Sequence, residues 1–228
     1  MKLTIVGLPL GNYQDISIRA VKALEEAKLV ICEDSRVFNK LYTKLLHEGV
    51  INKPFSGEFL VINDFNEKTK ITQALLRLEQ VQEGILVSDA GLPTISDPGY
   101  ALTNALINKG GELEIIPGPT AAMNSLALSG FSADKVIFLG FLPKKTSKRN
   151  KTLSLLQPLI GQGVTIILYE SPYRLQKTIA QLREIVPPNS PTVLVRELTK
   201  AHQETIRGTL SNLVPTTTKG EITLLIRI

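Results

Sequence analysis

The chain of 228 residues contains very little cysteine or histidine. Cys32 is the only cysteine, which excludes a disulfide within the chain and a metal cluster held by several thiolates. With His47 and His202 as the only histidines, a histidine-rich metal site is not expected either. We therefore predict a protein without a bound metal.

Long apolar runs are also missing. No run approaches the roughly 18 apolar residues that would indicate a membrane span. The N-terminus shows no signal-peptide pattern, because Met1 and Lys2 lead directly into a predicted strand. With 43% hydrophobic and 21% charged residues, the composition is that of a globular protein with a substantial core. We expect a cytoplasmic protein of one large domain or two small ones, with no membrane partner.

Charge is unevenly distributed along the chain. Residues 1–143 hold 13 Lys/Arg against 16 Asp/Glu (−3), and residues 144–228 hold 13 against 5 (+8), which together give the +5 of the whole chain. A basic C-terminal half favours a polyanionic partner for that half. The densest basic run consists of Lys144, Lys145, Lys148, Arg149 and Lys151. This run fits contact with RNA phosphates, and it equally fits a solvated linker or helix surface.

Strands and helices alternate in the first part of the chain. Short apolar runs such as 3–6, 29–32, 84–87 and 113–116 are separated by segments with helical periodicity. This alternation predicts an α/β fold with a parallel sheet covered by helices on both faces. The second part has strands at 164–168, 192–195, about 202–208 and 222–226 around one clear helix, 172–185, which predicts a mixed sheet. The turn at 140–143 and the basic run are interpreted as a boundary region.

Residues 88–100, S-D-A-G-L-P-T-I-S-D-P-G-Y, form an unusually constrained loop between a predicted strand and a predicted helix. Its two glycines allow backbone angles closed to other residues, and its two prolines fix φ and remove donors. In open α/β sheets, loops at the carboxyl ends of strands bind ligands. Asp97 is expected to cap the next helix, which leaves Asp89 without a structural task. We therefore predict a ligand-binding loop.

Common nucleotide-binding patterns are absent. The first loop, G-L-P-L-G-N at residues 7–12, lacks the G-x-G-x-x-G spacing of a dinucleotide site. No G-x-x-x-x-G-K-[ST] loop for nucleoside triphosphates is present. The remaining strand-end loops suit a smaller ligand that is held mostly by backbone groups.

Nine short motifs occur in order along the chain. They are G-L-P-L-G-N (7–12), E-D-S-R (33–36), F-N-E (65–67), S-D-A-G-L-P-T-I-S-D-P-G (88–99), P-G-P-T-A (117–121), G-F-L-P (140–143), Y-E-S-P-Y-R (169–174), R-E-L-T-K (196–200) and K-G-E (219–221). With these motifs the chain resembles the tetrapyrrole-methylase-like (class III) S-adenosylmethionine-dependent methyltransferases over nearly its whole length. Within that superfamily it is most similar to the ribosomal RNA small subunit methyltransferase I family, which methylates a cytidine ribose 2′-oxygen in 16S ribosomal RNA. That family often continues into a helical C-terminal domain, which this chain is expected to lack.

The resemblance implies a fold, a cofactor and a set of binding residues. It implies the tetrapyrrole methylase fold with two α/β domains, residues 1–116 with the parallel sheet and residues 117–228 with the mixed sheet, and S-adenosylmethionine in the cleft between them. It also implies a homodimer that acts on the small ribosomal subunit. The donor-binding residues carried over onto this chain are Leu8, Pro9, Asp89, Ala90, Gly91, Leu92, Thr120, Ala121, Tyr169, Lys219 and Gly220.

The implied reaction is attack of a ribose 2′-oxygen on the sulfonium methyl group, with S-adenosylhomocysteine as product. Because a hydroxyl is a poor nucleophile, a general base or a polarising cation is expected near it. The first candidates are Asp34, Arg36, Glu170, Arg174 and Glu197, and further candidates are Glu33, Glu67, Asp89, Arg196 and Lys200. These residues alone do not single out one base.

Two alternative functions are compatible with parts of the sequence. One is a methylase of the same superfamily that acts on a corrin precursor, or on a protein as diphthine synthase does. The basic C-terminal half and the S-D-A-G-L-P loop argue against it. The other is a non-catalytic RNA-binding module, against which the intact loop motifs argue. Binding of S-adenosylmethionine and methyl transfer to 30S subunits separate these readings.

Overall fold

The chain folds into two compact units. A computed structural model describes residues 1–63, 65–213 and 219–228. The units are Met1–Thr120 and Ala121–Ile228, each built around its own five-stranded sheet. The division predicted after residue 116 falls a few residues earlier, at the end of the last strand of the first unit.

The first unit contains five strands and four α-helices in its described residues. In chain order they are β1 (Lys2–Val6), α1 (Ile18–Glu26), β2 (Leu29–Cys32), α2 (Ser35–His47), β3 (Glu58–Val61), α3 (Glu67–Val81), β4 (Glu83–Leu86), α4 (Tyr100–Asn108) and β5 (Glu112–Ile116). The sheet order is β3-β2-β4-β1-β5, and all of these pairings are parallel. The predicted parallel sheet is confirmed.

Alternation along the strands explains why helices cover both faces of this sheet. In β2, Val30 and Cys32 belong to one hydrophobic cluster, together with residues of α1 and α2. Leu29 and Ile31 point to the opposite face and pack with α3 and α4. Because successive side chains of a strand point to opposite faces, a strand that is apolar throughout must be covered twice.

The second unit has a mixed sheet, as predicted. In chain order its elements are α5 (Ala121–Ser129), β6 (Val136–Phe141), α6 (Thr146–Ser154), β7 (Thr165–Glu170), α7 (Pro172–Arg183), β8 (Pro191–Arg196), β9 (Glu204–Thr209) and β10 (Ile222–Arg227). The sheet order is β6-β7-β10-β8-β9, in which only β6 and β7 pair in parallel. No helix in the described ranges of either unit is long and apolar enough to cross a membrane.

Two elements were not predicted, and one interpretation was wrong. Strand β3 is short and lies at the edge of the first sheet, and it was missed although Phe59, Leu60 and Val61 are apolar. Helix α6 carries Lys148, Arg149 and Lys151 of the basic run and buries only Arg149 and Leu153, so its apolar periodicity is almost absent. Lys144 and Lys145 directly precede this helix, so the basic run lies within the second unit and is not a boundary region.

Candidate functional site

Three motif-bearing loops follow adjacent parallel strands of the first unit. Residues 7–12 follow β1, residues 88–99 follow β4, and residues 117–120 follow β5. Since β4, β1 and β5 are neighbours in the sheet, these loops emerge at the same edge. The predicted ligand-binding loop therefore lies beside two other motif-bearing loops.

Backbone hydrogen bonds join the first two loops directly. The Leu8 N–H donates to the Gly91 carbonyl over 2.8 Å, and the Gly91 N–H donates to the Leu8 carbonyl over 3.1 Å. The Leu8 side chain is buried in the hydrophobic core. Leu8 was predicted as a donor-binding residue, but its side chain and its N–H are both engaged within this unit, so it offers neither to a ligand. It holds the 88–99 loop in place.

Glycine is required where these loops touch. A Cβ atom on Gly7 would lie 2.5 Å from the Gly118 Cα atom, and one on Gly118 would lie 2.6 Å from the Gly7 Cα atom. Gly91 has a φ of +76°, and a Cβ atom there would lie 3.0 Å from Leu10 Cδ2 and 3.2 Å from the Pro119 carbonyl oxygen. Larger residues would separate the loops or strain the backbone.

The 88–99 loop contains further backbone strain and an unexpected cap. Thr94 and Ser96 have φ values of 71° and 67°, in the left-handed region that non-glycine residues rarely occupy. The N-cap position of α4 is Gly99 and not Asp97. Glu67 Oε1 accepts hydrogen bonds from the N–H groups of Gly99 (2.9 Å) and Ala101 (3.1 Å). Glu67 therefore has a structural role in fixing the loop.

Asp34, Arg36 and Asp89 form one polar cluster after β2 and β4. The Asp34 N–H donates to Asp89 Oδ1 over 3.2 Å. Asp34 also caps α2, and its carboxylate pairs with Arg36 through Nε (3.0 Å) and Nη2 (2.5 Å). The Arg36 side chain is nevertheless 89% exposed. The cluster thus presents a guanidinium group in a fixed orientation.

The two carboxyl groups of this cluster differ in basicity. Hydrogen bonding to Arg36 lowers the pKa of Asp34 to about 2, which makes Asp34 a weak base. Partial desolvation raises the pKa of Asp89, although the Asp34 N–H opposes the shift. The second carboxylate oxygen of Asp89 has no hydrogen-bond partner among the described residues. Asp89 can therefore accept a hydrogen bond from a ligand.

In the second unit, Tyr169 connects a helix end to a group of aromatic rings. Its hydroxyl accepts a hydrogen bond from the Ala122 N–H (2.9 Å) in the first turn of α5. Its ring contacts Phe138 and Phe141, with centroid distances of 5.0 Å and 5.6 Å. Tyr169 and Ala121, both predicted donor residues, are therefore held close together.

Glu170 and Arg174 stabilise the start of α7. Glu170 is buried and accepts hydrogen bonds from the Ser171 N–H (2.8 Å) and Thr178 Oγ1 (2.5 Å). Arg174 Nε lies 3.3 Å from the Glu170 carboxylate, and Arg174 Nη2 donates to the Leu142 carbonyl over 2.6 Å. Because the Glu170 carboxylate is buried and each of its oxygens already accepts a hydrogen bond, this arrangement favours a positioning role over proton abstraction.

Glu197 links the R-E-L-T-K and K-G-E motifs. Its Oε1 accepts hydrogen bonds from the Glu221 N–H (2.9 Å) and from Lys200 Nζ (3.1 Å). Burial acts to raise the pKa of Glu197, but these bonds outweigh it, and the pKa is lowered. Gly220 has a φ of +97°, and a Cβ atom there would lie 2.7 Å from Glu197 Cγ. Glu197 thus shapes the turn that carries Lys219 and Gly220.

The basic run divides into four exposed lysines and one buried arginine. Lys144, Lys145, Lys148 and Lys151 are exposed, whereas Arg149 is only 4% exposed. Arg149 Nε donates to the Pro143 carbonyl (2.9 Å), and Nη1 donates to Gln181 Oε1 on α7 (2.8 Å). The prediction that Arg149 contacts RNA is therefore wrong, because its guanidinium group is enclosed within the unit.

Comparison with known proteins gives the sequence family. The family model described as Tetrapyrrole (Corrin/Porphyrin) Methylases matches residues 2–214. The Thermotoga maritima protein named Ribosomal RNA small subunit methyltransferase I is 40% identical, with 99% of this chain and 97% of that protein aligned. The protein of the same name from Mycoplasmopsis pulmonis is 37% identical, with 98% and 96% aligned.

Solved structures share the fold. The uroporphyrin-III C-methyltransferase from Thermus thermophilus, crystallised with S-adenosylhomocysteine, superposes with a TM-score of 0.67 at 18% identity. The match covers 99% of this chain and 97% of that chain. Both α/β units therefore belong to one known two-domain architecture.

Proposed function

The chain belongs to the tetrapyrrole methylase family of S-adenosylmethionine-dependent methyltransferases, and on that basis we propose that it methylates the ribose 2′-oxygen of a cytidine in 16S ribosomal RNA. The observation that carries this proposal is the 40% identity to a ribosomal RNA small subunit methyltransferase I over almost the full length of both chains. The four exposed lysines of the basic run support a polyanionic substrate.

We propose that the strand-end loops of the first unit supply part of the donor site. Asp89 fits this role because it is exposed and has an oxygen available to accept a hydrogen bond from a hydroxyl or ammonium group. The backbone contact between Gly91 and Leu8 fixes the position of Asp89. The other proposed donor residues of this unit are Pro9, Ala90, Leu92 and Thr120.

Four residues of the second unit complete the proposed donor set. They are Ala121, Tyr169, Lys219 and Gly220. Tyr169 is oriented by its hydrogen bond to the start of α5, and Gly220 is held against the Glu197 side chain. When bound, S-adenosylmethionine supplies a methyl group on a sulfonium centre that is open to displacement.

We propose that the protein accelerates methyl transfer mainly by alignment. Asp34 is a weak base, Glu170 is enclosed, and the pKa of Glu197 is lowered. Holding two reactants in line can contribute on the order of 7–11 kcal/mol without a strong base. Arg36 is the candidate cation that combines exposure with a fixed geometry, and we propose that it orients the attacking nucleotide.

Methyl transfer from labelled S-adenosylmethionine tests this function. The acceptors are 30S subunits that lack the modification, a tetrapyrrole precursor and the protein fraction of a cell extract. We expect label in the RNA fraction of the 30S subunits alone. Label in the tetrapyrrole or the protein would instead support one of the alternative methylases, and a protein that binds no donor in calorimetry would support a binding module.

We also propose that the protein acts in the cytoplasm as a homodimer. The proposed substrate is a cytoplasmic particle, and two-fold dimers are the commonest closed assemblies of soluble chains. Two copies would offer twice the number of exposed lysines to one RNA. Light scattering at micromolar concentration should give the mass of two chains, and the mass of one chain would remove this proposal.

A further inference from the structure

Two aromatic side chains of the second unit are largely exposed to solvent. Tyr173 is 89% exposed and Phe141 is 55% exposed. Exposed apolar residues that are scattered singly need no explanation, whereas a group of them next to charged residues marks an interaction surface. Whether Phe141 and Tyr173 mark an interaction surface therefore depends on whether they lie together and beside charged residues.

Both residues lie at the carboxyl ends of the parallel strands β6 and β7 of the second sheet. Phe141 ends β6 and pairs with Tyr169 near the end of the parallel strand β7. Tyr173 follows β7 in the first turn of α7. The next residue after Tyr173, Arg174, donates a 2.6 Å hydrogen bond to the carbonyl of Leu142, the next residue after Phe141. The two aromatic positions are thus joined through their sequence neighbours.

The exposed lysines of the basic run follow the segment that this hydrogen bond anchors. Lys144 and Lys145 follow directly after this anchored segment, and Lys148 lies in the first turn of α6. The buried Arg149 bonds both the Pro143 carbonyl and Gln181 of α7, so it holds the lysine-bearing segment against α7. No acidic residue occurs between positions 135 and 169. The rings therefore lie next to a segment that carries only positive charge.

Aromatic rings beside cations suit a single-stranded nucleic acid. Unstacked bases stack on exposed rings, and lysines neutralise the adjoining phosphates. We propose that Phe141 and Tyr173 stack bases of the unpaired RNA segment that carries the target ribose, while Lys144, Lys145 and Lys148 contact its phosphates.

This inference rests on the proposed function and specifies how its substrate is held. The Phe141 ring lies 5.6 Å from the ring of Tyr169, a proposed donor residue. A base stacked on Phe141 therefore lies close to the proposed donor site of this unit. Tyr173, which is farther along the chain and more exposed, holds a flanking base.

Fluorescence anisotropy with a labelled single-stranded RNA of about 12 nucleotides tests the stacking. The variants are Phe141→Ala, Tyr173→Ala and Tyr173→Phe, and the control is Leu155→Ala, which removes an apolar side chain that is 60% exposed in the same unit. Each of the first two variants should bind about five- to hundredfold more weakly with an unchanged salt slope, because stacking involves no phosphate. Tyr173→Phe and Leu155→Ala should bind as the wild type does.

Polyphosphate provides a polyanion without bases. The alanine variants should bind it as tightly as the wild type does. Unchanged affinity of both alanine variants for the RNA, or an equal loss on polyphosphate, would overturn the inference. A wild type that shows no salt-dependent RNA binding would instead refute the proposed substrate, and the inference with it. A wild type that binds and methylates RNA while both alanine variants bind normally would refute the inference alone.

Discussion

The 88–99 loop of the first unit and the basic run of the second unit both stood out in the sequence. The structure agrees with the backbone constraint predicted for the loop, although Gly99 and not Asp97 is the N-cap of α4, and it disagrees with the RNA-contact role predicted for one cation of the basic run. The glycines and prolines of the loop limit the backbone, and the structure shows Gly91 at a φ of +76° in contact with the first loop. In the basic run, five similar cations turned out to include one buried structural residue, Arg149. The role of a residue that restricts the backbone can be predicted from its type alone, whereas the role of a long charged side chain depends on how it packs in the fold.

Removing the exposed lysines of the basic run should have the largest effect among these predictions, and that effect is on RNA binding. Replacing Lys144, Lys145, Lys148 and Lys151 with glutamine should lower the log–log salt slope of RNA binding by about 0.7–0.9 per lost contact, or about 2–3 units for the three proposed phosphate contacts. Donor binding should not change. The slope is measured by titrating RNA at several salt concentrations.

A matched control distinguishes the loss of these four lysines from a general loss of positive charge. Lys22, Lys40, Lys53 and Lys68 are exposed lysines of the first unit, and replacing them with glutamine leaves the same net charge. This control should keep most of the wild-type slope. Equal losses in the two quadruple variants would show that RNA binding depends only on net charge.

A bulky residue at Gly91 should damage the loop. In Gly91→Val, the side chain would press on Leu10 and on the Pro119 carbonyl, so donor affinity should fall at least tenfold, a cost of about 1.4 kcal/mol or more. Gly110→Val is the control, because Gly110 has a similar φ of +73° but no atom within 4 Å of an added Cβ. Calorimetry with S-adenosylmethionine measures both, and equal affinities in folded proteins would contradict the proposed placement of the donor.

Two neighbouring cations of α6 should behave in opposite ways. Arg149→Met leaves the Pro143 carbonyl and Gln181 without their donor, so the free energy of unfolding should fall by about 1–3 kcal/mol. Its salt slope for RNA should not change. Lys148→Met should stay within about 0.5 kcal/mol of the wild type in stability but lower the slope. Denaturant unfolding and RNA titration measure these effects, and the reverse pattern would restore Arg149 to the RNA-binding surface.

The smallest expected effect concerns Asp34. Its folded pKa of about 2 lies below the value of about 3.9 for an unperturbed aspartate. Its contribution to stability is therefore present above about pH 4 and is lost as the pH falls towards 2. Asp34→Asn should flatten the stability profile in that window, as measured by unfolding at a series of pH values. An unchanged profile would show that the pair with Arg36 does not form in solution.

Much of the fold could be predicted because it depends on local patterns. Four-residue apolar runs such as 29–32 indicated buried strands, and the motif loops followed them as expected. Helix α6 was missed because a highly charged helix shows little apolar periodicity, and it forms through tertiary contacts that the local sequence does not reveal. Strand β3 was missed although residues 59–62 form an apolar run of the same kind as 29–32.

The candidate site was less predictable because its roles depend on pairings between distant residues. Glu67 caps α4 from a position more than thirty residues away, as its bond to Gly99 shows. Glu170 is enclosed by Thr178, and nothing in the Y-E-S-P-Y-R motif alone reveals that burial. Phe141 and Tyr173 stand in two of the motifs, but the sequence showed neither the exposure of their rings nor their common position at the carboxyl ends of β6 and β7.

Nucleoside analysis of 30S subunits treated with the protein and S-adenosylmethionine tests the central claim most directly. The 16S RNA is digested to nucleosides and separated, and the methylated product is identified by mass and retention. Our account predicts 2′-O-methylcytidine as the new product, and its loss in Gly91→Val. A base-methylated nucleoside, or no modified nucleoside from a protein that binds the donor, would contradict it.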